Sequence, residues 1–242
     1  MRREIPNNNT TIDYENLIQC YIKDLNKRQG DNVKSIILTG SYARGDAQDS
    51  SDLDIWSIFN IVDINILREV GEITRNLPVN YEKHEVNTQC LTINEFNSGY
   101  FANFLAKPII YYEGILLYGE DICRQPISKS EIVETYKTIL SETLLSVRHY
   151  ISVNEPKEKL TYPKLKTYIL KPLLFALRLE RQNSIGVYPL STHDLMRSYK
   201  NNECEVLLQW FIDKGKLLDD INKDHNYVLE RMNDIIVMLL YN

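Results

Sequence analysis

Apolar residues recur at helical spacing from Thr11 to Gln29, where Ile12, Leu17, Ile18, Tyr21, Ile22 and Leu25 share one face. Asp13 or Thr11 can cap that helix and Gly30 ends it. Lys34 to Thr39 is a short β-branched run, read as a strand, and a Gly/Ser turn and a small polar segment to Ser51 follow it. Asp52 to Phe59 reads as the second strand. Asp63 to Asn76 reads as a helix with Ile64, Ile66, Leu67 and Val70 on its apolar side. Tyr81 to Ile93 contains no breaker and predicts a long strand, Asn94 to Leu105 a helix begun by an Asn cap, and Pro108 to Tyr118 one or two short extended pieces.

The texture changes across Gly119 to Ser128, after which β-branched runs give way to long helical patterns. Ser130 to Ser152 carries Glu131 and Glu134 in its first turns, which complements the helix dipole. Leu160 to Gln182 is helical with Pro163 near its start, and Pro172 should kink or interrupt it. A loop over Asn183 to Pro189 leads to a short helix, Ser191 to Tyr199, and then to helices over Glu203 to Lys216 and Asp220 to Leu240. The order predicts an α/β (α+β) domain over residues 1–126 followed by an all-α helical bundle over residues 127–242.

Composition narrows the class. Hydrophobic residues make up 43% and charged residues 25% of the 242, an ordinary globular balance. Cys20, Cys90, Cys123 and Cys204 form no C-x-x-C pair and read as buried thiols in a reducing compartment. The polar first ten residues lack the apolar core of a signal peptide, and stretches such as Pro108 to Tyr112 are too short to span a bilayer, so a cytoplasmic protein is expected. Residues 1–126 hold 12 Lys+Arg against 18 Asp+Glu, and residues 127–242 hold 16 against 15. An acidic first half argues against a broad nucleic-acid surface and suits metal ions or a cationic substrate.

The chemistry concentrates in Ile36-Ile37-Leu38-Thr39-Gly40-Ser41-Tyr42-Ala43-Arg44-Gly45 and, after Asp46 to Ser51, Asp52-Leu53-Asp54-Ile55-Trp56. A strand ends in Gly40-Ser41, where glycine lets the backbone approach a ligand and the amides and hydroxyl that follow can hold phosphate oxygens. Period-two alternation puts Asp52 and Asp54 on one face of a strand, with Leu53, Ile55 and Ile37 pointing away into the core. Two adjacent carboxylates repel unless a cation sits between them, and Mg²⁺ prefers one or two carboxylates plus substrate phosphates. A metal beside a phosphate cradle is what in-line displacement at phosphorus requires.

The Gly-Ser pair followed after about ten residues by Asp-x-Asp resembles the DNA polymerase β-like nucleotidyltransferase superfamily, and Gly40, Ser41, Asp52 and Asp54 match it in order and spacing. The resemblance implies a mixed sheet, two Mg²⁺ ions, ATP as co-substrate and a third carboxylate on a later strand. Glu82 and Glu85 are the candidates there, and Glu85-Val86 has the look of small-molecule members, as third metal ligand or general base. Arg44 is the further nucleotide-binding candidate beside the cradle. The second half, from Leu165 to Leu174 and Arg178 to Met196, is similar to the helical domain of aminoglycoside nucleotidyltransferases. That likeness implies a domain that closes over the nucleotide and donates Lys171 or Lys166 to the triphosphate.

The expected reaction is transfer of AMP from ATP to a hydroxyl of a small molecule, with an aminoglycoside-type antibiotic as the leading acceptor. The alternatives are modification of a protein tyrosine or a tRNA end, in the manner of toxin–antitoxin systems, and a non-catalytic nucleotide-binding module. A full helical domain disfavours the antitoxin style, and two retained, mutually repelling aspartates disfavour the dead module. His84, His149, His193 and His225 show no metal-ligand spacing.

Overall fold

The computed structural model describes residues 4–8, 10–49, 51–78, 86–98, 106–124 and 126–241. The chain divides into two compact units, Met1–Ser128 and Lys129–Asn242.

In the first unit, α1 spans Tyr14–Gln29 and β1 Val33–Thr39; α2 is a five-residue helix, Gly40–Arg44; β2 spans Leu53–Phe59 and α3 Ile64–Arg75. Then come β3 (Val86–Thr92), α4 (Ile93–Asn97), α5 (Ala106–Glu113) and β4 (Ile115–Gly119). The strands form one sheet in the order β3-β2-β1-β4. β1 runs antiparallel to both β2 and β4, whereas β2 and β3 are parallel, so the sheet is mixed. The parallel pair is joined through a chain segment that includes α3, as parallel strands need a crossover.

Alternation along the strands gives the sheet an apolar layer on each face. Ile36, Leu38, Leu53, Ile55 and Phe59 pack with Leu17, Ile18, Tyr21 and Leu25 of α1 and Val70 and Ile73 of α3. Ile37 and Ile58 face the other way, into a cluster with Leu91, Phe96, Ile110, Ile122 and Cys123. The sequence had grouped Ile37 with Leu53 and Ile55. Its antiparallel partner is Trp56, so it shares the face of Trp56 and Asp54 instead. The Tyr21 hydroxyl lies 2.7 Å from Ser57 Oγ in the α1-side core, and burial pushes that phenol far above its ordinary range.

Several local expectations shift. Gly40 and Ser41 open a helical turn. α3 is capped by Asp63, whose carboxylate accepts from the amides of Asn65 and Ile66, but Ile64 and Leu67 are exposed, and Val70 and Ile73 supply the buried side. α4 starts one residue before Asn94, because Thr92 and Glu95 form a reciprocal capping box. Pro108 to Glu113 is helical rather than extended. Cys123 and Cys204 are buried as expected, whereas Cys20 and Cys90 are half-buried; all four are free.

The second unit is helical: α6 (Lys129–Ser152), α7 (Tyr162–Leu165), a π-helical segment (Lys166–Leu170), α8 (Lys171–Ile185), α9 (Thr192–Ser198), α10 (Glu205–Ile212), α11 (Lys214–Lys223) and α12 (His225–Tyr241). In α6 a buried stripe of Ile132, Tyr136, Ile139, Leu140, Leu144 and Val147 follows the helical period. It packs against α8 and α12. The π segment falls just before Pro172, whose missing amide cannot join the regular ladder, so the α-helical pattern is interrupted there. α8 ends at Gly186 in the left-handed region. The two final predicted helices are three, because Asp213 ends α10 and caps α11 by accepting from the Lys216 amide, and Asp224 separates α11 from α12. Among the described residues no helix is long and apolar enough to cross a membrane.

Trp210 is fully buried, and its indole Nε1 donates to Asp220 Oδ2 at 2.9 Å. That bond, aided by Lys216 and Lys223, holds the Asp220 carboxyl below its usual range. The stabilisation is complete above the ordinary aspartate value and is lost as pH falls through the lowered folded value. Asp220→Ala leaves the indole N–H buried without this acceptor and should cost about 1–3 kcal/mol. Denaturant unfolding in a Trp56→Phe background, with Trp210 as the remaining tryptophan, measures it; an unchanged midpoint would contradict this account.

Candidate active site

The site is assembled where β1 ends. Thr39 is still extended, and Gly40 turns the chain into α2 with φ of 73°, a left-handed conformation that glycine adopts without penalty. The β1–β2 register sets Asp54 directly opposite Thr39. A methyl group built on Gly40 would overlap the Asp54 carboxylate at Oδ2, so the two residues are packed against each other with no room for a side chain. Asp54 Oδ1 accepts from Asn87 Nδ2 at 3.0 Å, and Asn87 is its partner across the parallel β2–β3 pair. Asn87 Oδ1 in turn accepts from Gln89 Nε2 at 3.2 Å. The carboxylate is thus oriented from one side by an amide and from the other by the glycine turn. Asp52 sits at the residue before β2, and both aspartates are half-buried.

α2 is tied down at several points. Asn8, a buried residue, donates from Nδ2 to the Tyr42 carbonyl at 3.1 Å and accepts from the Ala47 amide at 3.2 Å. The buried Tyr42 ring lies 5.0 Å from that of Tyr14, and burial raises its phenol pKa. Arg44 Nη1 donates to Glu113 Oε2 at 2.7 Å, and Arg44 Nε lies 3.3 Å from Asp46 Oδ1. Ser41 occupies the first turn of α2, and its carbonyl accepts from the amides of Gly45 and Asp46.

Gly40, Ser41, Arg44, Asp52 and Asp54 therefore gather around the β1–α2 junction, with Arg44 held in ion pairs. Glu82 and Glu85 lie outside the described residues. Lys171 belongs to the second unit, exposed at the head of α8. Lys166 lies over the rings of Tyr162 and Phe211 at 5.4 and 5.3 Å. Among the described residues no three His, Cys, Asp or Glu side chains group so as to hold a metal ion. The donors present, carboxylate oxygens, are the hard ligands that Mg²⁺ takes. Sequence reasoning missed Asn8, Asn87 and Glu113. Each acts on a partner at least 33 residues away, and no local pattern announces such a pair.

Residues 19–99 match the family described as nucleotidyltransferase domain. The match lies within the first unit. No curated protein matches the sequence. Among solved structures, the spectinomycin adenyltransferase AAD(9) from Enterococcus faecialis, determined with ATP and spectinomycin, is 13% identical. That match covers 90% of this chain and 98% of the other, with a TM-score of 0.56. At that identity the likeness is one of fold. A nucleotidyltransferase from Sulfolobus solfataricus, described as putative, is 18% identical over 44% of this chain and 90% of its own, with a TM-score of 0.25. A toxin–antitoxin structure with AMP-PNP is 19% identical over 57% and 96%, with a TM-score of 0.30. These last two overlap the chain too loosely to bear on its fold. The β1–α2 junction and both aspartates lie inside the matched residues.

Proposed function

We propose that the protein moves AMP from ATP to a hydroxyl of a small molecule, with an aminoglycoside-type antibiotic as acceptor. The observation that carries this reading is the Asp54 carboxylate packed on Gly40 at the mouth of α2 and oriented by Asn87. In the reaction the acceptor oxygen attacks the α-phosphorus, the bond from that phosphorus to the pyrophosphate oxygen breaks, and the acceptor proton passes to a base. Asp52 and Asp54 would hold Mg²⁺, with Glu85 as third ligand or as the base. When bound, Mg²⁺ would supply charge neutralisation at the reacting phosphoryl group. Gly40 and Ser41 orient the triphosphate through backbone amides and a hydroxyl, and Lys171 is the helical unit's candidate for triphosphate charge. The acceptor class is supported by the acidic balance of residues 1–126 and by the spectinomycin bound in the AAD(9) structure. The four free thiols suit a cytoplasmic setting.

Labelled ATP with Mg²⁺ and a panel of aminoglycosides, tRNA and cell lysate tests the acceptor. Label on an aminoglycoside supports the proposal; label confined to tRNA or to protein would replace it with the macromolecular alternative.

Glu85→Gln separates base from ligand. As general base, its loss should leave ATP and Mg²⁺ binding intact and lower transfer by roughly a hundredfold to ten-thousandfold. As a metal ligand, its loss should weaken Mg²⁺ binding, and added Mg²⁺ should partly rescue the rate. A variant with normal rate at all Mg²⁺ concentrations would remove Glu85 from the site.

A further inference from the structure

Glu113 closes α5 and is buried, with 1% of its side chain exposed. A carboxylate at that depth needs a charged partner, and Arg44 provides one at 2.7 Å. The end of α5 is itself fixed to the sheet. The Gly114 amide donates to the Ile110 carbonyl at 3.0 Å, and a methyl group built on Gly114 would overlap that carbonyl and meet Ile37 Cγ2 at 3.1 Å. α2, by contrast, has five residues, too few for a helix to hold its own shape. Its direction is set by its anchors, and the Arg44–Glu113 pair is one of them, alongside Asn8 on Tyr42 and Ala47.

We infer that Glu113 is a positioning residue for the nucleotide cradle: through Arg44 it fixes the direction of α2, and with it the Gly40-Ser41 turn against Asp54. This rests on the nucleotidyl-transfer reading above. It assigns Arg44 an indirect part, as a strut between α2 and α5, in place of direct contact with phosphate.

The sign of one substitution separates the two parts. Glu113→Gln keeps size and removes charge. If Arg44 touched phosphate directly, removing its counter-ion would leave ATP affinity unchanged or raise it. With Arg44 as strut, the α2 turn loosens, and the Kd for ATP with Mg²⁺, measured by calorimetry, should rise at least roughly tenfold. The fall in kcat/KM should lie chiefly in KM for ATP. The double variant Arg44→Met/Glu113→Met replaces the pair by unbranched apolar side chains, and ATP affinity should return to within roughly threefold of wild type. Glu72→Gln, which breaks the exposed pair with Arg28, is the control and should change nothing.

Unchanged or tighter ATP binding in Glu113→Gln overturns the inference, as does a folded double variant that cannot bind ATP. If Glu113→Gln does not fold, the double variant decides alone. If neither folds, the pair is a requirement of the fold and the positioning part is overturned. Wild-type protein that binds no ATP would sink the function reading itself; wild-type binding with the wrong order among the variants sinks this inference alone.

Discussion

Asp54→Ala is expected to lower AMP transfer at least roughly a hundredfold, since loss of metal-based charge stabilisation costs several kcal/mol of barrier. The geometry makes Asp54 the more informative of the two aspartates. It stands opposite the last residue of β1, packs on Gly40 and accepts from Asn87. Its side chain is half-buried and belongs to neither apolar cluster, so removing it spares the cores formed by Ile55 and Leu53 on one face and Ile58 on the other. Circular dichroism should therefore match wild type. Asp54→Asn is the stricter version, because it keeps volume and removes charge. Near-normal transfer by either variant with Mg²⁺ would contradict the role given to this residue.

Gly40→Val should be nearly as damaging, for a different reason. A β-branched residue at φ of 73° is strained by about 1–3 kcal/mol before any contact is considered. Its Cβ would also overlap Asp54 Oδ2. Relief requires moving α2 or swinging the carboxylate out of its bond with Asn87, and either displaces the Gly40-Ser41 turn from the Asp54 carboxylate. ATP affinity should fall at least about tenfold, the equivalent of 1.4 kcal/mol, and transfer should fall further. Ser41→Ala is the milder comparison, because it removes one hydroxyl and keeps the backbone donors of α2. Equal ATP affinity in wild type and Gly40→Val, measured by calorimetry, would count against the cradle.

Much of this site can be read in the sequence, because its chemistry is local. Gly40, Ser41, Asp52 and Asp54 fall within fifteen residues, and strand alternation alone separates Asp54 from Leu53 and Ile55. What holds the site together is not local. Asn8, Asn87 and Glu113 reach it across 34, 33 and 69 residues, and their own neighbourhoods read as a polar terminus, a strand and a short extended piece. Elements were misread for related reasons. Ile109-Ile110-Tyr111-Tyr112 has the β-branched and aromatic texture of a strand, yet it forms α5 with Ile110 buried against Ile37. The breaks at Asp213 and Asp224 were hidden because their caps interrupt the backbone while the apolar pattern continues. Ile64 and Leu67 show the limit of periodicity: it finds an apolar stripe but not how much of it the core covers.

Nucleotidyl transfer and phosphoryl transfer differ in which phosphorus reaches the acceptor. Parallel reactions with ATP labelled at the α- or the γ-phosphorus, Mg²⁺ and an aminoglycoside acceptor give opposite answers for nucleotidyl and phosphoryl transfer. Nucleotidyl transfer should put α-label on the acceptor and γ-label in released pyrophosphate, with one pyrophosphate per acceptor modified and loss of both signals in Asp54→Asn. Appearance of γ-label on the acceptor, or equal α-label transfer by wild type and Asp54→Asn, would contradict it.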